Sequence, residues 1–167
     1  MGSVSDIRET LLRTPRQSRA RGFTILEWSI AIAILGILVA IAIPAYEEYI
    51  ERTRVARAVI DIASIGAKVS NYEVDNRELP ASLHDVGLGS MRDPWGNLYQ
   101  YVNHDEKASR GKWRRDKNIV PINTDFDVFS MGKDGQSKPQ LTFKTSRDDI
   151  VRANNGRFVG LASEYDP

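Results

Sequence analysis

The chain has 167 residues, a formal net charge of +1 and no cysteine. This length allows one small domain plus an additional segment. The lack of cysteine excludes disulfides, thiolate metal sites and a cysteine nucleophile. A small domain outside the cytoplasm would therefore need another source of stability, such as a metal ion or neighbouring subunits.

The net charge conceals an asymmetry along the chain. Residues 1–22 hold five arginines and two acidic residues, which gives +3, whereas the remainder holds 18 basic and 20 acidic residues, which gives −2. The first segment also lacks the apolar stretch of a secretory signal peptide. Because basic flanks of an apolar segment stay in the cytoplasm, residues 1–22 are predicted to be a cytoplasmic basic leader.

An apolar segment, residues 23–46, follows the leader. At about 1.5 Å per helical residue it is long enough to cross the ~30 Å hydrocarbon core of a bilayer. A plain signal anchor would show the same length and composition. Glu27 argues against that simpler interpretation, because a carboxylate inside a spanning helix is costly and rare without a partner.

The residues around Glu27 resemble a known motif. Residues 21–27, Arg-Gly-Phe-Thr-Ile-Leu-Glu, resemble the cleavage signal of type IV pilins and pseudopilins, and Pro44 lies where that family usually has a proline. The resemblance implies that a prepilin peptidase cuts between Gly22 and Phe23 and N-methylates Phe23. It also implies that Glu27 neutralises the new ammonium group of an adjacent subunit in a helical filament.

Two residues of the apolar segment predict a bend. Pro44 lacks the N–H that would bond the carbonyl of Ala40, and Gly36 lies eight residues earlier. Together they are predicted to let the helix kink or unwind locally. For Gly36, close packing against a neighbouring helix is the simpler alternative.

Helical periodicity continues over residues 47–75, which are predicted to be an amphipathic continuation of the same helix. Apolar residues recur there at three- and four-residue steps, and the opposite face is charged. The helix is predicted to run from about Phe23 to about Val74, and its second half is expected to lie on a globular head. Asn76 and the later Pro80 mark its end.

Residues 76–167 are predicted to form that head, and the fold class is α+β, with the long helix packed on a small antiparallel sheet. A short helix is predicted at 82–86, stopped by Gly87. Strands are predicted at 98–102, 125–130 and 157–161.

Two head motifs narrow the resemblance. The turn and strand at 93–101 and the strand and glycine-rich turn at 126–135 resemble the major pseudopilin, the G subunit, of type II secretion systems. Trp95 and Gly96 in the first motif, with Asp134 and Gly135 in the second, carry this likeness. The resemblance implies the pilin or pseudopilin fold.

The same resemblance implies a calcium site in the last loop. Its ligands would be the carboxylates of Asp134, Asp148 and Asp149 and the backbone carbonyl of Met131, which are the oxygen donors that calcium prefers. Ordinary turn aspartates remain the alternative. The loop also carries three basic residues, which would weaken a calcium site.

A basic stretch at 104–124 is longer than the family's usual connection and includes Trp113. Basic and aromatic side chains together can bind single-stranded nucleic acid. The favoured interpretation is an exposed insertion whose charges are offset by nearby acidic residues. Nucleic acid is therefore not expected as a partner.

The resulting prediction of function is structural. The subunit would build a periplasmic pseudopilus that drives protein export by a type II secretion system; the alternative is a surface pilin for adhesion, motility or DNA uptake. Expected partners are the prepilin peptidase, further copies of this chain, other pseudopilins and an inner-membrane assembly platform. The chain would cross the inner membrane once, with its N-terminus cytoplasmic and its head periplasmic. Two scattered histidines and no nucleophile signature argue against an enzyme.

Overall fold

The computed structural model describes residues 22–166, which form a long helix and a four-stranded sheet. Helix α1 spans Ile25–Asn76. The strands are β1 (Gln100–Asn103), β2 (Phe126–Ser130), β3 (Ile150–Ala153) and β4 (Phe158–Leu161). They pair antiparallel in the order β1-β2-β3-β4. This is the α+β, pilin-like arrangement that the sequence predicts. The basic leader, apart from Gly22, lies outside the described residues.

The chain divides into two compact units, Met1–Pro44 and Ala45–Pro167. In the described part of the first unit the large apolar side chains are exposed to solvent. Helix α1 is long and apolar enough to cross a membrane, with a mean hydropathy of 2.5 in its most apolar window. Gly36 and Pro44 both lie inside the continuous helix, so the proposed bend stays a prediction.

In the second unit, one stripe of α1 is buried. Ala58, Ile62, Ile65 and Val69 are fully buried at steps of three and four residues, as expected for a helix that covers a sheet. They pack against one face of the sheet, which presents Tyr99, Phe126, Val128 and Ile150. This cluster is the main core of the head.

The opposite face of the sheet is also covered. Val102, Phe129, Val151 and Ala153 form a second core there with Ile122, Leu141, Ala162 and Tyr165. All five residues of β2 are buried, which shows that neither face of this strand is open to water. The segments that cover the outer face come from the 104–124 stretch, from the connection before β3 and from the residues after β4.

The interpretation of 104–124 as an exposed insertion is therefore wrong in part. Arg114, Asp116, Ile122 and Asn123 are buried, although the other five lysines and arginines of the stretch are exposed. The physical reason is the apolar outer face of the sheet, which has to be removed from water. The stretch behaves as a cover of the sheet with a basic outer surface.

The prediction of a short helix at 82–86 was also wrong, because the structure has a hydrogen-bonded turn there and no helix. The N–H of Leu88 bonds the carbonyl of Leu83, and the N–H of Gly87 bonds that of His84. This pair of bonds is a Schellman stop, and Gly87 takes the positive φ of 73° that it needs. Gly87 therefore acts as the predicted stop, but the segment before it is only one turn long.

An ion pair between the buried Arg152 and the half-buried Asp125 joins β3 to the residue before β2. The guanidinium of Arg152 donates to both carboxylate oxygens of Asp125, at 2.8 and 2.6 Å, and to the carbonyl of Phe126 at 3.0 Å. Burial by itself would raise the pKa of Asp125, but the hydrogen bonds from Arg152 and Phe126 outweigh it and hold that pKa below its ordinary value of 3.8. The pair therefore favours the folded state whenever Asp125 is ionised.

This pair makes acid stability testable. Because the pKa of Asp125 is lowered on folding, its contribution is complete above about pH 4 and is lost as the pH falls through the lowered pKa. We expect Asp125→Asn to lower the Tm at pH 7, and the difference from wild type to shrink below about pH 4. Thermal unfolding followed by circular dichroism, at pH 7 and at several pH values below about 4, measures the difference in Tm. The exposed Asp105 provides the control Asp105→Asn, and an equal gap at all pH values would contradict the prediction.

Candidate processing and assembly site

The bond between Gly22 and Phe23 lies just outside the helix. Gly22, Phe23 and Thr24 are exposed and non-helical, and α1 begins at Ile25. A Cβ added to Gly22 would meet no atom of residues 24–166 within 4 Å, so the described part of the chain does not obstruct the backbone there. A protease must bind its substrate as open backbone, and this is where the structure provides it.

Thr24 and Glu27 form a reciprocal cap at the start of α1. The Glu27 carboxylate accepts from the Thr24 N–H at 2.7 Å and from its hydroxyl at 2.9 Å. In return the Glu27 N–H donates to the Thr24 hydroxyl at 3.2 Å. This is a capping box, which satisfies backbone groups that a helix start otherwise leaves unbonded.

The cap gives Glu27 a local role besides the predicted one. Its carboxylate is partly satisfied within its own chain, which lowers the cost of keeping it close to an apolar environment. The cap also sets the first helical residue, so that the Gly22–Phe23 bond stays outside α1. Thr24 was missed at the sequence level, although the Thr-x-x-Glu spacing ahead of an apolar run is a recognisable helix-start signal.

The two head motifs come together in the structure. Asp93 accepts from the N–H groups of Trp95 and Asn97 at 3.0 and 2.8 Å, and its other oxygen accepts from the Ser130 hydroxyl at 2.6 Å. The Asn97 amide donates to the carbonyl of Gly132 at 3.0 Å. The turn at 93–97 and the turn after β2 therefore form one hydrogen-bonded unit.

The same unit is tied to the second half of α1. The indole N–H of Trp95 donates to Glu51 at 3.0 Å, and the Tyr99 hydroxyl donates to Asp61 at 2.9 Å. Burial and the hydrogen bond to Asp61 raise the pKa of Tyr99 well above its usual value, which keeps the phenol protonated as a donor. The position of this turn thus depends on polar contacts with the helix.

The four residues proposed as calcium ligands lie in the loop 131–149 that links β2 to β3. The Asp134 N–H donates to the Asp148 carboxylate at 3.1 Å, so these two residues are adjacent. The other acidic residue, Asp149, is fully buried and accepts from Arg114 and Ser137. Burial raises the pKa of Asp149 to about 6, although the charge of Arg114 works against this rise.

This donor set does not fit a calcium ion as it stands. Asp149 is committed to a guanidinium, and the Asp134 carboxylate accepts from the Gln136 N–H at 2.7 Å. Within residues 22–166, no three acidic or histidine side chains are grouped so that they could hold a metal ion. Calcium binding therefore stays a prediction from the resemblance alone.

Comparison with known proteins supports the N-terminal assignment. The family model described as the prokaryotic N-terminal methylation motif matches residues 17–43. The chain is 37% identical over 82 residues to a fimbrial protein of Neisseria meningitidis, and this match spans 49% of the chain and 48% of that protein. The chain thus spans about half the length of that fimbrial relative.

Other relatives match into the head. The chain is 27% identical to type II secretion system core protein G of Vibrio cholerae over 72% of the chain and 86% of that protein. It is 28% identical to the type IV major pilin protein PilE of Neisseria gonorrhoeae over 80% of the chain and 83% of that protein. These relatives are structural subunits, which confirms the prediction that the chain is not an enzyme. The chain therefore carries the N-terminal methylation motif of type IV pilin-like proteins on a pilin-like fold.

Proposed function

We propose that this chain is a structural subunit of a periplasmic pseudopilus that drives protein export by a type II secretion system. The single observation that supports this most is the hydrogen-bonded unit made by the turns at 93–97 and 130–135. Both turns belong to motifs that resemble the G subunit of those systems. The similarity to core protein G of Vibrio cholerae, over 86% of that protein, supports the same role.

The proposed maturation begins at the N-terminus. A prepilin peptidase would cut between Gly22 and Phe23 and methylate the new amine of Phe23. The basic leader would stay in the cytoplasm and the head would be periplasmic, so that the apolar part of α1 crosses the inner membrane once. The exposed apolar side chains of α1 suit a segment surrounded first by lipid and then by neighbouring subunits.

In assembly, Glu27 would exchange partners. Within one chain it accepts hydrogen bonds from Thr24. In a filament it would pair with the ammonium group at Phe23 of the next subunit. A carboxylate and an ammonium that are each costly in an apolar environment become less costly together. Other pseudopilins and an inner-membrane assembly platform are the remaining proposed partners.

A surface type IV pilus is the second candidate function. The observation in its favour is the similarity to PilE of Neisseria gonorrhoeae, which extends over 80% of the chain. In that case the filament would serve adhesion, motility or DNA uptake. Both candidates require the same processing and the same Glu27 pairing, so the N-terminus does not separate them.

Deletion of the gene separates the two functions. In a pseudopilus, deletion should leave exported proteins in the periplasm and their amounts in the culture medium should fall, while surface filaments persist. Expression of the wild-type chain should restore export, and Glu27→Ala should not. Normal export combined with loss of surface filaments in electron micrographs would instead establish the pilus function.

A further inference from the structure

Arg114 is a buried cation in the segment that covers the outer face of the sheet. Arg114 is 1% exposed, and its guanidinium carbon lies 4.3 Å from the centroid of the Phe129 ring. A buried charge is costly unless it is paired and hydrogen-bonded. The groups that surround this guanidinium therefore indicate why it is retained in the interior.

Three oxygen atoms of the loop 131–149 surround the guanidinium. One terminal nitrogen donates to the Asp149 carboxylate at 2.5 Å. The other donates to the Ser137 hydroxyl at 2.5 Å and to the Lys138 carbonyl at 2.8 Å. The contacts come from the middle of the loop and from the residue before β3, so one side chain joins two distant parts of the loop.

These partners are a carboxylate, a hydroxyl and a backbone carbonyl. They are the oxygen types that a hard cation such as calcium would take. One of them, Asp149, is a residue for which the family resemblance implies calcium ligation. The guanidinium thus takes up Asp149, one of the four proposed calcium ligands, and supplies a positive charge to the loop.

The backbone of Arg114 is fixed as firmly as its side chain. Its N–H donates to the Asp127 carboxylate on β2 at 2.7 Å, and its carbonyl accepts from the Ile122 N–H at 3.0 Å. The Asn123 amide reaches the other oxygen of Asp127 at 2.8 Å. These bonds fix the backbone of Arg114 against β2, which sets the position from which its side chain reaches the loop 131–149.

We infer that Arg114 is a built-in cation that closes the loop 131–149 in place of a calcium ion. The 104–124 stretch supplies this cation, which gives the additional residues of that stretch a structural purpose. Arg114 and Asp149 are both almost completely buried, so the two charges are removed from water together. Loss of one partner should therefore be worse than loss of both. This inference is independent of which filament the chain forms.

The test compares adjacent arginines in the full mature chain in detergent. Arg114→Met leaves Asp149 buried without its counter-charge, and we expect the Tm of the head to fall by roughly 10 °C or more. Arg115→Met makes the same substitution at the next residue, which is exposed, and should leave the Tm within about 2 °C. The double variant Arg114→Met/Asp149→Leu should recover most of the loss. Near-ultraviolet circular dichroism, to which Trp113 beside Arg114 contributes, monitors unfolding.

The metal arm uses calcium itself as the probe. The Tm of the wild type should be the same in excess chelator and in about 5 mM calcium, which exceeds the dissociation constants of weak extracellular sites. A Tm that rises with calcium and falls with chelator would overturn the inference and establish a metal site. Equal losses for Arg114→Met and Arg115→Met would overturn it as well. If Arg114→Met does not accumulate, Arg114→Lys, which keeps the charge but not the fork of donors, should show an intermediate loss.

Discussion

Replacement of Gly22 by alanine is expected to make the uncut precursor accumulate in cells that process the wild-type chain. The Gly22–Phe23 bond is exposed and non-helical, and a Cβ at position 22 meets no atom of residues 24–166 within 4 Å. The substitution therefore does not disturb the described part of this chain, and we expect it to act by hindering the contact between the peptidase and the backbone at the cleavage site. We expect cleavage to slow by at least about tenfold, which corresponds to about 1.4 kcal/mol in the barrier. Intact-mass measurement of membrane-extracted protein detects loss of the leader and addition of the methyl group.

Gly36→Ala is the matched control for this experiment. Gly36 is also a glycine whose added Cβ meets no atom within 4 Å, but it lies inside α1 and away from the proposed scissile bond. The precursor carrying Gly36→Ala should be processed at the wild-type rate. Equal accumulation of mature Gly22→Ala and wild-type protein would show that the peptidase does not depend on this glycine.

The sequence was most informative where a pattern is long or a motif is local. Helix α1 was predicted from Phe23 to Val74 and is observed at Ile25–Asn76, because helical periodicity persists over many turns. Strands β1, β2 and β4 were predicted from short alternating segments between turns. The burial of one face of α1 followed directly from its apolar spacing.

Strand β3 was not predicted, because its residues do not show a clear strand pattern. Asp148 and Asp149 precede it and were interpreted as metal ligands, and the buried Arg152 interrupts its apolar run. The partner that makes Arg152 compatible with burial is Asp125, 27 residues earlier in the chain. No local sequence pattern predicts an ion pair between residues so far apart in the chain.

The outer cover of the sheet was missed for the same physical reason. The basic residues of 104–124 are typical of an exposed loop, and only one of them, Arg114, turns inward to Asp149, 35 residues further on. One signal was available, because Phe129 is an apolar residue on the face of β2 opposite to Phe126 and Val128. A strand that is apolar on both faces needs cover on both.

Replacement of Glu27 by alanine is expected to abolish filament assembly while processing continues. The variant loses the carboxylate that would pair with the ammonium of the next subunit, and that ammonium is then left without a partner in an apolar environment. We expect the filament yield after overexpression to fall by more than about tenfold, since loss of 1.4 kcal/mol per contact already has that effect. The yield is measured by sedimentation of sheared filaments, after intact mass has shown that the leader is removed.

Two further variants separate the charge of Glu27 from its role in the helix cap. Glu27→Gln keeps the size and an oxygen that can accept from Thr24, but it removes the charge, and it should assemble as poorly as Glu27→Ala. Thr24→Val removes the hydroxyl that bonds Glu27 and leaves the carboxylate in place, at a cost of about 1 kcal/mol in helix stability. It should retain most of its filaments. Wild-type yield from Glu27→Gln would refute charge pairing, and a Thr24→Val defect as deep as that of Glu27→Ala would assign the effect to the cap instead.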